Sequence, residues 1–299
     1  MTNFLNNFNN LNNVNNTVNL NNTGTLSNVG NKIKIGPTVT MFVPYDCNNA
    51  CPFCVNKDEY RDTSDFSIER CYKSLDILNR IFPHNDIVLT GGEPLADLDI
   101  LQDILEHIED THNIYINTTL PTNDSQDERL IAKTLNKFKD KISCVNVSRH
   151  LRHYVKECSD EIFDMLDVRH RINCVVFEDT DEQKLKAFLD RFKGYEIQLR
   201  ANYSKLSLDN VFMTENDDLF KLISSVANYE GQLEQELFRT GFMFKYDGDT
   251  VVTYHKTLPY SKINGKVGDI IIRQTGYIYD DWNNYGEKLD INSLVELPY

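Results

Sequence analysis

The chain has 299 residues, a formal net charge of -14 and a pI near 4.9. That length can bury one large core, and the acidic excess argues against a surface that tracks a phosphate backbone, which needs clustered Lys and Arg to displace counterions. The dense basic patch is Arg149-His150-Leu151-Arg152-His153, and no apolar run approaches the roughly twenty residues that span a bilayer.

Residues 1–31 are Asn-rich, with an apolar residue or Thr at every third position from Leu5 to Val29. A period of three suits neither helix nor strand, so this stretch is expected to be a disordered low-complexity tail. From Lys32 to about residue 228 the pattern alternates strand and helix. Val39 to Val43 reads as the first strand. It leads into Cys47-Asn48-Asn49-Ala50-Cys51-Pro52-Phe53-Cys54, with thiols spaced three and then two residues apart. Such thiols can converge on one metal centre, yet they close neither a tetrahedral zinc site nor a fully ligated iron–sulfur cluster, both of which take four protein ligands. Either a distant ligand completes the site or one iron stays open.

Further along, Ile68, Cys71, Tyr72, Leu75, Leu78 and Phe82 mark an amphipathic helix that Pro83 stops. Ile87-Val88-Leu89 is a short buried strand delivering Gly91-Gly92-Glu93-Pro94. Leu98 to Ile108 is a helix. Ile114-Tyr115-Ile116 runs into Asn117-Thr118-Thr119, Ile142 to Val147 ends at Ser148, and Arg171 to Val176 contains Asn173. Thr180 to Gln183 fits a capping box, Leu185, Phe188, Leu189 and Phe192 form the helix face behind it, and Tyr195 to Leu199 delivers Arg200 and Tyr203. Alternating strands and helices imply a parallel sheet, whose ligands sit at the carboxyl ends of the strands. The cysteine loop, Gly91, Thr118, Ser148 and Arg200 all fall there.

The cysteine loop with its aromatic Phe53, followed by Gly91 to Pro94 after the next strand, resembles the radical S-adenosylmethionine (radical SAM) superfamily over Thr38 to about Tyr203. The resemblance implies a partial (β/α)6 parallel barrel. It implies that Cys47, Cys51 and Cys54 hold a 4Fe-4S cluster whose open iron takes the amino and carboxylate groups of S-adenosylmethionine, with the Gly91, Gly92, Glu93 and Pro94 backbone receiving the amino group. Phe53, Thr118, Ser148 and Asn173 complete the implied cofactor-binding set. Thr118 and Asn173 have the plainer alternative of strand-end hydrogen bonding, and Arg149 and His150 after Ser148 depart from the family pattern.

Beyond about residue 229 the character changes. Phe242 to Tyr246 and Thr250 to Tyr254 flank Asp247-Gly248-Asp249, and Ile270 to Arg273 and Tyr277 to Tyr279 flank Gln274-Thr275-Gly276, both hairpin signatures. Residues 229–299 are therefore expected to form an antiparallel β-rich cap in which His255, Tyr260, Tyr279 and Trp282 line a pocket or pack. Of the seven cysteines, the remaining four, Cys71, Cys144, Cys158 and Cys174, read as buried small hydrophobes. None follows Cys174, so no second cysteine-ligated cluster is expected there.

The function this implies is reductive cleavage of S-adenosylmethionine to a 5′-deoxyadenosyl radical that abstracts hydrogen from a small polar or nucleotide-like substrate. Arg149 and Arg200 are the candidate catalytic-site cations, joined by Arg152 in meeting an anionic group. Arg149 has the alternative of a surface salt bridge. A flavodoxin or ferredoxin is the expected electron donor, and a reducing cytoplasm the expected compartment. A peptide substrate is the alternative within the family, and a non-catalytic zinc protein using His153 or His255 as fourth ligand is the alternative outside it.

Overall fold

The computed structural model describes residues 36–43, 47, 49, 51–54, 66–151, 157–282 and 288–296. The expectations for the Asn-rich tail and for Arg152 and His153 lie outside the described residues.

Six strands alternate with helices: β1 (Thr38–Val43), α1 (Ile68–Ile81), β2 (Asp86–Gly91), α2 (Leu98–His107), β3 (Asn113–Thr118), α3 (Glu128–Lys137), β4 (Ile142–Ser148), β5 (His170–Val176), α4 (Glu182–Arg191) and β6 (Ile197–Ala201). After α5 (Asp218–Val226) come β7 (Asn228–Glu236), β8 (Arg239–Tyr246), β9 (Thr250–Thr257), the small hairpin β10 (Lys262–Ile263) and β11 (Lys266–Val267), then β12 (Asp269–Ile272), β13 (Ile278–Tyr279) and α6 (Ile291–Val295).

Each long helix starts where a side-chain oxygen takes over its first free N–H groups. Ser67 caps α1, Asp97 accepts from Asp99 N and Ile100 N at 3.0 Å on α2, Asp127 caps α3 and Asp217 caps α5. At α4 the cap is Asp181, not Thr180. Asp181 Oδ1 accepts from Lys184 N at 2.8 Å, while the Thr180 hydroxyl accepts from Phe177 N in the turn before it. A carboxylate one residue closer to the first turn displaces the hydroxyl from the capping-box position.

The main sheet has the order β13-β12-β1-β2-β3-β4-β5-β6-β9-β8-β7. Its run from β12 through β1 to β6 and on to β9 is parallel throughout. The expectation of an antiparallel C-terminal segment holds for β7–β8, β8–β9 and β12–β13. It is corrected at β9 on β6 and β12 on β1. There the two open edges of the alternating strands each take up a parallel neighbour from the C-terminal segment, which leaves fewer unpaired backbone groups than a separate sheet would.

Because β1 to β6 follow one another in space as in sequence, right-handed crossovers place their helices on one face of the sheet. Val39, Met41, Ile87, Leu89, Ile114, Ile116, Val145, Val147, Ile172, Cys174, Ile197 and Leu199 face the helices in one continuous core. The alternate residues face the other way, and many are polar: Asn117, Asn146, Ser148, Arg171, Asn173, Gln198 and Arg200. This polar face carries the site.

Candidate active site

The cysteine loop leaves β1 just after Val43. Cys47, Cys51 and Cys54 are half-buried, none is in a disulfide, and Cys54 N donates to Cys51 O at 3.1 Å, closing a turn over Pro52 and Phe53. Phe53 packs at 5.3 Å on His150, past the end of β4, and at 5.4 Å on Phe177, past the end of β5. One aromatic side chain thus seats the thiols over the carboxyl edge of the sheet. Burial, and then the neighbouring Cys54 and Cys47, push the Cys51 thiol up to about 11, so the sulfurs share one electrostatic environment. Beyond β6, burial and then Cys54 raise the Tyr203 hydroxyl as well.

Glu93 ties this loop to its neighbours. Its buried carboxylate accepts from Leu95 N (3.1 Å), the Thr118 hydroxyl (2.6 Å), Thr119 N (2.8 Å) and the Thr119 hydroxyl (2.7 Å). Asn49, within the cysteine loop, donates to the Thr119 hydroxyl at 3.3 Å. A continuous chain of hydrogen bonds therefore runs from the loop through β3 to the Gly91–Pro94 turn. Burial holds the Glu93 carboxyl above the ordinary range, with the four donors pulling it back down.

Thr118 shares the parity of Ile114 and Ile116, and its hydroxyl is engaged with Glu93 and Leu120 N. It buttresses the turn from the helix side, while Asn117 beside it occupies the polar face. Gly91 has φ +128°, and a Cβ there would stand 2.4 Å from Val43 O, so it lets the ends of β1 and β2 close together. Gly92 is half-buried, and Pro94 is buried in the turn.

Arg149 is fully buried. Its Nη1 donates to Thr119 O and Ser148 O at 3.1 Å, its Nη2 to Cys158 Sγ at 3.2 Å and its Nε to Asp160 at 3.5 Å, and its guanidinium lies 5.1 Å over the Phe163 ring. These internal partners pin the ends of β3 and β4, and they make the residue part of a buried network, which corrects the surface salt bridge expected as its alternative. Ser148 and Asn173 stand side by side in the β4–β5 ladder. Asn173 Oδ1 is buried with no hydrogen-bond partner among the described residues.

The sequence reading missed the amide ladder beneath them. Asn146 Nδ2 donates to Asn117 Oδ1 at 2.7 Å, and Arg171 Nε donates to Asn146 Oδ1 at 2.6 Å, across adjacent pairs of β3, β4 and β5. Its signal was present as polar residues at every second position of otherwise apolar strands. Of the aromatic candidates, Trp282 packs on Phe42 and Tyr279 under Arg273, and Tyr260 packs with Val211, Leu258 and Ile263. His255 pairs with Glu234 at 3.0 Å.

Among the described residues no three His, Cys, Asp or Glu side chains surround a position for one metal ion. By its chemistry, a set of three free thiols on one loop suits a cube in which each thiolate would bind its own iron and one iron would be left for a small molecule. An orphaned buried acceptor at Asn173, next to Ser148, fits a ligand that brings hydrogen-bond donors.

A parallel α/β sheet with three free thiols over its carboxyl edge is an arrangement suited to an iron–sulfur centre. A family model described as the Radical SAM superfamily matches residues 41–175. No curated protein sequence matches the chain. Two solved structures of anSMEcpe with bound AdoMet, one with a Cp18Cys peptide and one with a Kp18Cys peptide, align with a TM-score of 0.54. The first is 16% identical over 87% of this chain and 80% of that one, the second 17% identical over 87% and 81%. Streptococcus suis SuiB bound to precursor peptide SuiA aligns at a TM-score of 0.50 and 16% identity, over 83% of this chain and 60% of that one. At these identities the likeness is one of fold. The match to that superfamily thus lies in residues 41–175, and its members use a 4Fe-4S cluster and S-adenosylmethionine.

Proposed function

We propose that the chain removes a hydrogen atom from an unactivated carbon of a small polar molecule held against the polar face of the sheet, here read as an open (β/α)6 barrel. The observation that carries this reading is the lining itself: Asn117, Asn146, Arg171, Asn173 and Arg200 share that face beside the cysteine loop. Hydrogen-bonding groups at fixed strand positions recognise a polar ligand and orient it.

Cys47, Cys51 and Cys54 would hold the cluster, and the turn from Gly91 to Pro94, kept rigid by Glu93, would receive S-adenosylmethionine with Phe53, Ser148 and Asn173. When bound, these cofactors supply one-electron reduction and hydrogen abstraction. The protein's part is position and exclusion of water. Phe53, His150 and Phe177 close the side of the loop, and the amide ladder fixes the floor. Residues 32–228 would form the catalytic core and 229–299 the flanking elements, in a cytoplasmic enzyme reduced by a flavodoxin or ferredoxin.

A peptide substrate is the second reading, favoured by the peptides bound in the anSMEcpe and SuiB structures. The anaerobically reconstituted, reduced protein separates the two when it is offered small-molecule and peptide fractions of a cell extract. A rise of 5′-deoxyadenosine above the uncoupled background with the small-molecule fraction is expected. A rise with the peptide fraction alone would replace the first reading by the second, and a protein that holds no iron would overturn both.

A further inference from the structure

Of the two arginines on the polar face, Arg171 and Arg200, the one with fewer commitments among the described residues is Arg200. It lies near the end of β6, directly beside His255 of β9. Its one hydrogen bond among the described residues is from Nη2 to the neutral hydroxyl of Thr257, at 3.3 Å. Thr257 stands directly across the β8–β9 ladder from Arg239, so two guanidinium groups approach one another over a threonine.

The carboxylates nearby are already engaged. Glu234 accepts from His255 and pairs with Arg239 at 3.6 Å, Glu236 accepts from Arg239 at 2.9 Å, and Asp269 accepts from Trp282 Nε1 at 3.3 Å. Gly241 makes the first of these pairs fit. It sits between Glu234 and His255 in both ladders, and a Cβ there would come within 2.9 Å of the imidazole. Arg239 Nε is buried without an acceptor. Burial, followed by Arg171 and Arg239, pushes Arg200 down to about 10, against the weaker pull of Asp269 and Glu234. Among the described residues this cation has no carboxylate hydrogen-bonded to it, and an arriving anion can supply one.

We propose that Arg200, with Arg239 and Thr257 beside it, is the receptor for a carboxylate or phosphate group of the substrate. The planar guanidinium suits either oxyanion, since it can offer two parallel N–H donors to a pair of oxygens. This inference rests on the polar-substrate reading above and names the group by which that substrate is held. Arg149, the other arginine near these strand ends, is fully buried and spends four of its five N–H donors within the fold.

The test is calorimetric titration of the reconstituted protein with inorganic phosphate and with glutarate, using neutral glutaramide as the control. It needs no turnover, so it stands or falls apart from the search for a substrate. Binding of phosphate or glutarate but not glutaramide is expected, weakened at least tenfold by Arg200→Gln and less by Arg200→Lys, while Lys137→Gln on the outer face of α3 leaves it unchanged. S-adenosylmethionine should bind together with the anion, and Arg200→Gln should leave its affinity as it was. Equal anion binding by wild type and both Arg200 variants, or no anion binding at all, overturns the proposal. So does displacement of the anion by S-adenosylmethionine together with weaker cofactor binding in Arg200→Gln, which would assign the arginine to the methionine carboxylate.

Discussion

Glu93 was legible as part of a motif, but its work in the fold was not. A carboxylate followed by proline after two glycines says nothing of Thr118 and Thr119, which come twenty-five and twenty-six residues later and supply three of its four hydrogen bonds. Glu93→Ala leaves Leu95 N and Thr119 N buried without an acceptor. It should lower stability by about 2–4 kcal/mol in urea unfolding. The pH dependence has a definite sign. Burial raises the folded carboxyl above its unfolded value, so Glu93 favours the folded state most when protonated, and that contribution is lost as pH rises from the ordinary carboxyl range through the raised one. Glu93→Gln should flatten the stability profile over that window, and profiles that run parallel for the two proteins would refute this account. Arg149 shows the opposite limit of reading residues singly. Its neighbours in sequence suggested a ligand for anions, whereas Glu157, Asp160, Cys158 and Thr119 O surround it in the fold. Arg149→Ala should cost about 3–5 kcal/mol, as loss of one partner in a buried charge network does. A loss below about 1 kcal/mol would show that this buried network adds little to stability.

At the scale of elements, the strands and helices flanking the motifs were legible because their apolar periods are local. α3 was not foreseen, although Asp127 and the apolar Ile131, Ala132 and Leu135 carry its cap and its buried face. The polar stretch between Pro121 and Asp127 reads as loop and hides where the helix begins. The register of β1 against β2 is also invisible locally, and it decides what Gly91 does. Alanine there meets two penalties, a left-handed φ and a collision with the backbone of Val43. Gly248, in the β8–β9 turn, has φ +90° but open space around it. Gly248→Ala should therefore cost about 1 kcal/mol from backbone conformation alone, and Gly91→Ala about 3–5 kcal/mol once overpacking is added. Because β1 delivers the cysteine loop, Gly91→Ala should also retain less iron after anaerobic reconstitution while Gly248→Ala retains as much as wild type. Equal unfolding midpoints for the two variants would show that the approach of β1 to β2 is not what Gly91 serves.

For the whole molecule, the lesson lies in where the C-terminal segment goes. Hairpin turns at Gly248 and Gly276 announce antiparallel pairs, but no local pattern announces that β9 lies parallel to β6, about fifty residues earlier, or that β12 lies parallel to β1, over two hundred residues earlier. Such pairings are set by what the completed sheet leaves exposed, not by neighbours along the chain. With β12 and β9 in place, β1 and β6 are interior strands, and Ser74 and Arg70 of α1 bond to the carbonyls of Gly276 and Thr275 in the β12–β13 turn. Lys256 of β9 is buried on the Asp217 carboxylate at 2.8 Å and on the carbonyls of Asn210 and Met213 at 2.7 Å, locking the segment before α5 onto the sheet. A chain ending at residue 227 keeps all of residues 41–175 that the family model matches, yet it leaves the outer edges of β1 and β6 unpaired. It should therefore aggregate or fail to unfold cooperatively, where the full chain elutes as a defined species in size-exclusion chromatography and shows one sharp transition. A soluble truncated chain that unfolds cooperatively and still holds iron would mean that the family-matched strands fold without their flanking partners, and that the C-terminal strands contribute to the substrate face alone.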